Sequence, residues 1–339
     1  VKKPTIYSIA KEAKLSPATI SKVLNNQGGI SPETARKVLA IIKKTNFQPQ
    51  QRRQVYQTIG VVAFCVKNRP FLDSFSSLLF CGISQETFAA GKPLTFISSD
   101  DVENLTPEEL HCYCLNHAIA GILICNIAWD HPFCQKLKSA GIPFCIVADK
   151  ASDESGCASV ATNNYEASVE LLDYMVCLGH INIAFIGLIT DQLESHRERR
   201  RAYFDVMQQH NIPLNKDFIL DLPDVEMTTI KNEMTRLFAR RSMPTAIFYC
   251  SEDLFKIFAI LQVMNLKVPD DVSVAGFHLE SDNLFYYSKI SSVIQPTEEL
   301  GRRCVQVLLE QIEHKTIRTE ILRNKIIYGD TVKKILGGA

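Results

Sequence analysis

Residues 5–25 read TIYSIAKEAKLSPATISKVLN. Thr5 is placed to cap a first helix whose apolar positions are Ile6, Ile9, Ala10 and Ala13. Lys14-Leu15-Ser16 forms a turn. Ser16 caps a second helix, and Pro17 takes its first position, where a missing N–H removes no hydrogen bond. Ile20, Val23 and Leu24 then face inward, while Ala18, Lys22 and Asn25 face out. A short helix with an apolar inner face and a small basic outer face, following a tight turn, is the pattern of a helix-turn-helix whose second helix probes DNA. An ordinary helical hairpin has the same spacing, so the rest of the chain must decide.

Outward from this stretch, Ser31-Pro32-Glu33-Thr34 opens a third helix in the same way, with Ala35, Val38, Leu39 and Ile42 at helical spacing and Asn46 at its end. The charge is concentrated here. Residues 1–58 hold 11 Lys/Arg and two acids, a surplus of +9, and the remainder carries −9, so the net charge of zero conceals a basic module on an acidic body. Gln48 to Thr58 is polar, contains Arg52 and Arg53, lacks an apolar period and reads as a linker.

From Ile59 the texture changes to apolar runs alternating with amphipathic segments. Strands are expected near 59–66, 94–98, 121–125 and 143–148, with helices near 75–90, 107–117 and 131–140. A second series places helices near 164–178, 196–210, 227–240 and 252–265, and strands near 182–187, 218–221, 245–249 and 272–276. Such alternation predicts an α/β body with parallel sheets covered on both faces, in two similar lobes with a ligand cleft between them. The boundaries read as 1–47 for the helix-turn-helix domain, 48–58 for the hinge and 59–339 for the two-lobed body.

Composition and motifs narrow the function. A chain of 339 residues that is 46% hydrophobic and 22% charged suits a globular protein of two or three domains. Its 11 cysteines lie mostly in apolar runs without disulfide spacing, which predicts buried thiols in the reducing cytoplasm, at the nucleoid if DNA is the partner. Cys112-x-Cys114 beside His111 lacks the paired spacing of zinc sites. Nothing ahead of Thr5 reads as a signal peptide, and no apolar run is long enough to span a bilayer. There is no phosphate loop, G-x-S-x-G or H-E-x-x-H, so neither an enzyme, a metal nor a cofactor is expected. His180, in Leu178-Gly179-His180, reads as a helix-end histidine whose cation would suit the dipole.

Together these segments resemble the lactose/galactose repressor (LacI/GalR) family of bacterial transcription regulators. The likeness rests on Tyr7-x-x-Ala10, Leu15-Ser16-x-x-Thr19-x-Ser21-x-Val23-x-Asn25, Ser31-x-x-Thr34 and Phe47-x-Pro49. It continues through Ile59-Gly60-Val61, Pro70-Phe71, Leu178-Gly179-His180, Pro244-Thr245-Ala246, Val268-Pro269-x-Asp271-Val272-Ser273-Val274-x-Gly276-Phe277, and Ile294-Gln295-Pro296 with Glu299-Leu300-Gly301. The resemblance implies a body like a type I periplasmic binding protein, crossed three times by the chain. One lobe takes about 59–159 and 292–322, the other about 160–290 and 323–332. It further implies a homodimer on a near-palindromic double-stranded operator, and a small-molecule effector, a sugar or related metabolite, in the cleft.

Carried over position by position, Tyr7, Ser16, Thr19, Ser21, Asn25, Ser31 and Thr34 match phosphate-holding residues, and Ile6 stands with them among the DNA contacts. Pro17, Ala18 and Lys22 would read bases, with Lys22 able to donate to guanine. The linker is shorter than is usual in the family and lacks its Ala-x-x-Leu pattern. Val55 or Tyr56 could supply the apolar wedge in the minor groove, or Arg52 and Arg53 a purely electrostatic contact. The cleft also departs from the pattern. Arg199 holds the place of a hydroxyl-binding arginine, though Arg197, Arg200 and Arg201 beside it also suit a solvated basic face. Ser251-Glu252 replaces Asn-Asp, His278 replaces an Asp, Asp149 falls one residue late, and Asn163 replaces an Asp in the crossover. Phe64, Phe71, Asp149, Arg199, Ser251, His278 and Gln295 are the effector candidates. Arg199 with a protonatable His278 favours an anionic ligand. Two other readings stay open: a DNA binder without effector response, and a small-molecule binding protein whose first 58 residues are an appendage.

Overall fold

A computed structural model of the chain describes residues 5–24, 30–45, 47, 57–64, 74–189, 193–240, 242–251, 253–279 and 289–335. Asn25, Arg52, Arg53, Val55, Tyr56 and Phe71 lie outside the described residues, as does most of the expected hinge. Among those described, three helices come first: α1 (Ile6–Ala13), α2 (Pro17–Leu24) and α3 (Pro32–Thr45). Ile9, Ala13, Ile20, Val38 and Ile42 close a small core with Phe47 beneath them. Each helix contributes one apolar stripe, so none buries its face without the other two.

The first lobe follows as β1 (Thr58–Ala63), α4 (Ser74–Ala89), β2 (Leu94–Ser98), α5 (Ser99–Val102), α6 (Pro107–Asn116), β3 (Ile119–Cys125), α7 (Pro132–Ala140), β4 (Phe144–Val147) and β5 (Ala158–Thr162). The second is built from α8 (Asn164–Cys177), β6 (Ile183–Leu188), α9 (Glu194–Gln209), β7 (Ile219–Leu222), α10 (Met227–Phe238), β8 (Ala246–Tyr249), α11 (Leu254–Val263), β9 (Ser273–His278) and β10 (Ser292–Ile294). The chain returns with α12 (Thr297–His314) and β11 (Thr319–Leu322), and ends on β12 (Lys325–Ile327). The two six-stranded sheets run β11-β5-β4-β3-β1-β2 and β12-β10-β9-β8-β6-β7, parallel except for β12 against β10. β3, β4 and β9 are buried along their whole length, as strands covered by helices on both faces must be.

β5 pairs with β4, so the first crossing between lobes falls after Thr162, beyond the expected boundary at 159. β10 pairs with β9 and β12 of the second sheet. The second crossing therefore comes after Ile294, a few residues past the approximate start of 292 read for the returning segment. α12 then packs on α4, where Gly82 meets the backbone of Glu298 and Gly301 that of Leu79. A Cβ on either glycine would overlap the partner helix, which is why the two helices cross in backbone contact. The three crossings are tied by side chains. Asn324 N–H donates to Asn163 Oδ1 at 2.7 Å, and Gln295 Nε2 donates to Thr162 Oγ1 at 3.0 Å.

His180 corrects one expectation. It is fully buried, Nδ1 bonding Thr245 Oγ1 at 3.0 Å and Nε2 the Lys333 carbonyl at 2.9 Å. Burial holds its pKa below the usual imidazole range, so it braces the second lobe as a neutral ring and not as a cation at a helix end. No helix among the described residues is long and apolar enough to cross a membrane.

Candidate DNA-contact face and interlobe cleft

The sequence specifies the first three helices largely through their ends. Thr5 and Ser8 form a reciprocal cap: Ser8 N–H donates to Thr5 Oγ1 at 3.2 Å and Thr5 N–H to Ser8 Oγ at 2.8 Å. Lys14 ends α1 in the left-handed region at φ 57°, which sends the chain sharply into α2. Ser16-Pro17-Ala18-Thr19 and Ser31-Pro32-Glu33-Thr34 then build the same device twice. Thr19 N–H donates to Ser16 Oγ at 3.1 Å and Thr34 N–H to Ser31 Oγ at 3.2 Å, with the paired hydroxyls 2.9 and 2.8 Å apart. Each pair sets two oxygens at the positive end of a helix, beside backbone N–H groups, where an anion is favoured.

Ile20, Val23 and Leu24 are buried beneath α2, while Pro17, Ala18 and Lys22 are exposed on its outer face. Tyr7 is 76% exposed and Ser21 half-buried. Ile6 is half-buried against the core of this module, so its side chain is largely engaged in packing. Tyr7, Ser16, Pro17, Ala18, Lys22 and Ser31 are thus exposed, and Thr19 and Thr34 are half-buried beside their serine partners.

The cleft candidates are arranged differently. Asp149, just past β4, is 3% exposed. Its Oδ1 accepts from Lys150 N–H at 3.1 Å, and its Oδ2 reaches across to accept from Glu194 N–H, the first residue of α9 in the other lobe, at 3.2 Å. Burial pushes its pKa up to about 7 despite these bonds. Arg197 lies on the same seam. Burial would lower its pKa, but its bond to Glu194 and the charges of Asp149 and Asp130 hold it raised. Burial and the charge of Glu194 lift Glu198 to about 6, against an opposing pull from Lys150 of the first lobe.

Arg199 is 1% exposed and turned inward. Its Nε donates to Asn164 Oδ1 at 3.0 Å, its Nη1 to the Cys250 carbonyl at 2.6 Å, and its guanidinium lies 3.6 Å from the centre of the Phe277 ring. The basic-face reading is corrected for this residue. It holds for its neighbours in part: Arg200 pairs with Asp221 and Arg201 covers Tyr165. Gln295 stands at the crossing, its amide nitrogen on Thr162 and its Oε1 without a partner among the described residues. Ser251 is buried with its Oγ likewise unpartnered, and His278 is buried at the end of β9. Phe64 stacks obliquely on His131 and Phe133, 5.1 and 5.3 Å between ring centres.

The structure therefore joins Arg199 and Gln295 through Asn164, which lies 3.5 Å from Gln295 Nε2, and ties Asp149 to α9. Sequence reasoning missed Glu194, Glu198 and Asn164. The inward turn of Arg199 left a usable signal: Arg199, Ala202, Tyr203 and Val206 share one buried face of α9 at i, i+3, i+4, i+7. Cys112 and Cys114 point to opposite sides of α6, one against the helix-turn-helix core and the other into the first lobe, so they do not form a chelating pair.

Comparison with known proteins accords with both parts. Residues 5–50 match the family described as bacterial regulatory proteins, lacI family, and residues 172–332 match a periplasmic binding protein-like domain. Among curated relatives, the probable HTH-type transcriptional repressor ExuR of Bacillus subtilis (strain 168) is 28% identical over 98% of this chain and 99% of its own. Catabolite control protein A of Priestia megaterium is 24% identical over 94% and 96%. The fold is shared with the transcriptional regulator CelR in complex with cellobiose (TM-score 0.68, 22% identity, 97% of this chain and 99% of that one). It is shared also with the lac repressor dimer bound to operator and an anti-inducer (TM-score 0.67, 19% identity, 98% and 100%). The chain thus sets a helix-turn-helix that matches the lacI family of bacterial regulatory proteins in front of a two-sheet body that matches a periplasmic binding protein-like domain.

Proposed function

We propose that this protein is a transcription repressor that binds a near-palindromic operator as a homodimer and answers to a small ligand in the interlobe cleft. The observations that carry the proposal are the Ser16–Thr19 and Ser31–Thr34 pairs at two helix N-termini and the exposure of Pro17, Ala18 and Lys22 on α2. Hydroxyls at helix N-termini hold phosphates and fix register, and Lys22 reads a base. Arg52, Arg53, Val55 and Tyr56 of the linker are proposed to add minor-groove contacts. Selection of bound sequences from random DNA tests this. The expected product is a two-fold symmetric site with relaxed preference opposite Pro17 and Ala18.

A second copy fits the edge of the first lobe. β2 ends its sheet and carries Phe96, 51% exposed, against Phe80 of α4, and the same helix carries Phe88, 87% exposed. Such a self-complementary apolar edge suits an isologous two-fold contact. Phe88→Glu is expected to shift the protein toward monomer in sedimentation and to weaken operator binding.

For the ligand, the inward turn of Arg199 removes the main reason to expect an anion. Asp149, Glu198, Ser251 and the free carbonyl oxygen of Gln295 are instead acceptors for a neutral, hydroxyl-rich molecule. Calorimetry across neutral sugars and sugar acids decides, and tight binding of acids alone would restore the anionic reading. The bond from α9 to Asp149 favours a second reading, in which the lobes are held together without an effector.

A further inference from the structure

The linker is not all that joins the DNA-contact module to the body. α3 lies against α6 of the first lobe, where Leu39, Ile42 and Phe47 face Pro107, His111 and Leu115. Lys43 Nζ pairs with Glu108 at 3.2 Å on the rim, and Cys112 packs against the core of the three-helix module. α6 is built to stand firmly at this place. A reciprocal cap between Thr106 and Glu109 starts it, with Pro107 in its first position. Its first turn is acidic, with Glu108 and Glu109, and the last turn of α3 is basic, with Lys43 and Lys44, so the two helix ends attract.

The described ends of the linker converge on the same helix. Phe47 is buried in the module and lines the contact with α6. At the other end, Gln57 and Thr58 both donate their N–H groups to the carbonyl of Ala118, two residues beyond α6. The reading residues Pro17, Ala18 and Lys22 stand on α2 and remain exposed while α3 is docked.

We propose that α6 is the seat of the DNA-contact module. The body holds and orients the module through the α3–α6 contact, which persists while α2 reads DNA. A ligand that turns the first lobe then carries the module with it as one body, and the coupling does not pass through the linker alone. This rests on the DNA-binding reading for its consequence, but the seat itself is testable without DNA.

Native Cys112 reports on it. The thiol is half-buried at the contact, and burial with the nearby charge of Glu109 lifts its pKa to about 11, while Cys81 and Cys177 are exposed. In maleimide labelling of the full chain, read by peptide mass, Cys112 is expected to react at least about ten-fold more slowly than Cys81. Leu115→Glu, which puts a charge in the apolar centre, is expected to raise the Cys112 rate about ten-fold. Lys43→Glu is expected to raise it about two- to five-fold, the reach of an exposed ion pair. Adding Glu108→Lys to Lys43→Glu should restore protection, which general loosening of α6 would not do. With saturating selected duplex, Cys112 should stay protected. Labelling of wild-type Cys112 at the Cys81 rate, failure of the charge swap to restore protection, or exposure of Cys112 by DNA would each overturn the proposal. If the chain binds no DNA, the labelling without DNA still decides the seat, so the two readings fail separately.

Discussion

The three-helix module and the interlobe cleft use similar polar side chains in opposite ways. In the module, hydroxyls and Lys22 stand at the surface, and the bonds that order them are local, between residues three apart. In the cleft, Asp149 and Arg199 are nearly inaccessible and bond to groups 35 to 51 positions away. The first arrangement leaves groups to offer a polyanion at little cost to the fold. The second makes the same kinds of group part of the fold, so the cleft cannot be altered without altering stability.

Substitutions can break that contrast. Arg199→Ala carries the largest expected effect. It takes away the Arg199 bonds to Asn164 Oδ1, which keeps only the long contact from Gln295, and to the Cys250 carbonyl, and empties the space over Phe277, a loss of about 3–5 kcal/mol in denaturant unfolding. A variant of wild-type stability that has merely lost ligand affinity would show that Arg199 serves the cleft.

Asp149→Asn comes next, with a dependence on pH. The folded state holds the Asp149 proton up to about pH 7, far above the ordinary value of 3.8, so it binds a proton that the unfolded chain releases. Stability should then fall as pH rises from about 4 to about 7 and level off above. Asparagine removes that slope. The variant is expected to gain on the order of 2–4 kcal/mol over wild type at pH 8 and nothing below pH 4, with the smaller slope from Glu198 remaining up to about pH 6. An unchanged pH profile would place Asp149 outside the interlobe seam.

In the module the main effects should fall on DNA binding, with the fold touched only where a helix cap is removed. Lys22→Ala is expected to weaken operator binding by about 1–3 kcal/mol and relax one half-site position, with the melting temperature unchanged. Ser31→Ala is the smallest test. It removes a cap on α3, for about 0.5–2 kcal/mol of stability, and lowers affinity equally across sequences, as loss of a phosphate contact does.

How far each region was legible follows from the same contrast. The module could be read because caps, turn and apolar stripes are local: the Ser-Pro pairs and the turn at Lys14 stand where their spacing predicts. Most body strands were legible as apolar runs. β5 was not, because Ala158-Ser159-Val160-Ala161-Thr162 is small and part-polar. It is buried because Ser159 finds Ala151 N–H and Thr319, partners that only the fold supplies. In the cleft, sequence could name Asp149 and Arg199 but not their orientation. Asp149 looked displaced by one residue, and the approach of α9 from the other lobe gives that position its partner across the seam.

Binding selection from random duplexes with the wild-type chain and Lys22→Ala, followed by salt titration of the enriched site, tests the central claim most directly. The account predicts a two-fold symmetric site for the wild type, loss of preference at one position per half-site for the variant, and log affinity falling linearly with log salt. Absence of any enriched symmetric site, or a site that Lys22→Ala leaves unchanged, would contradict it.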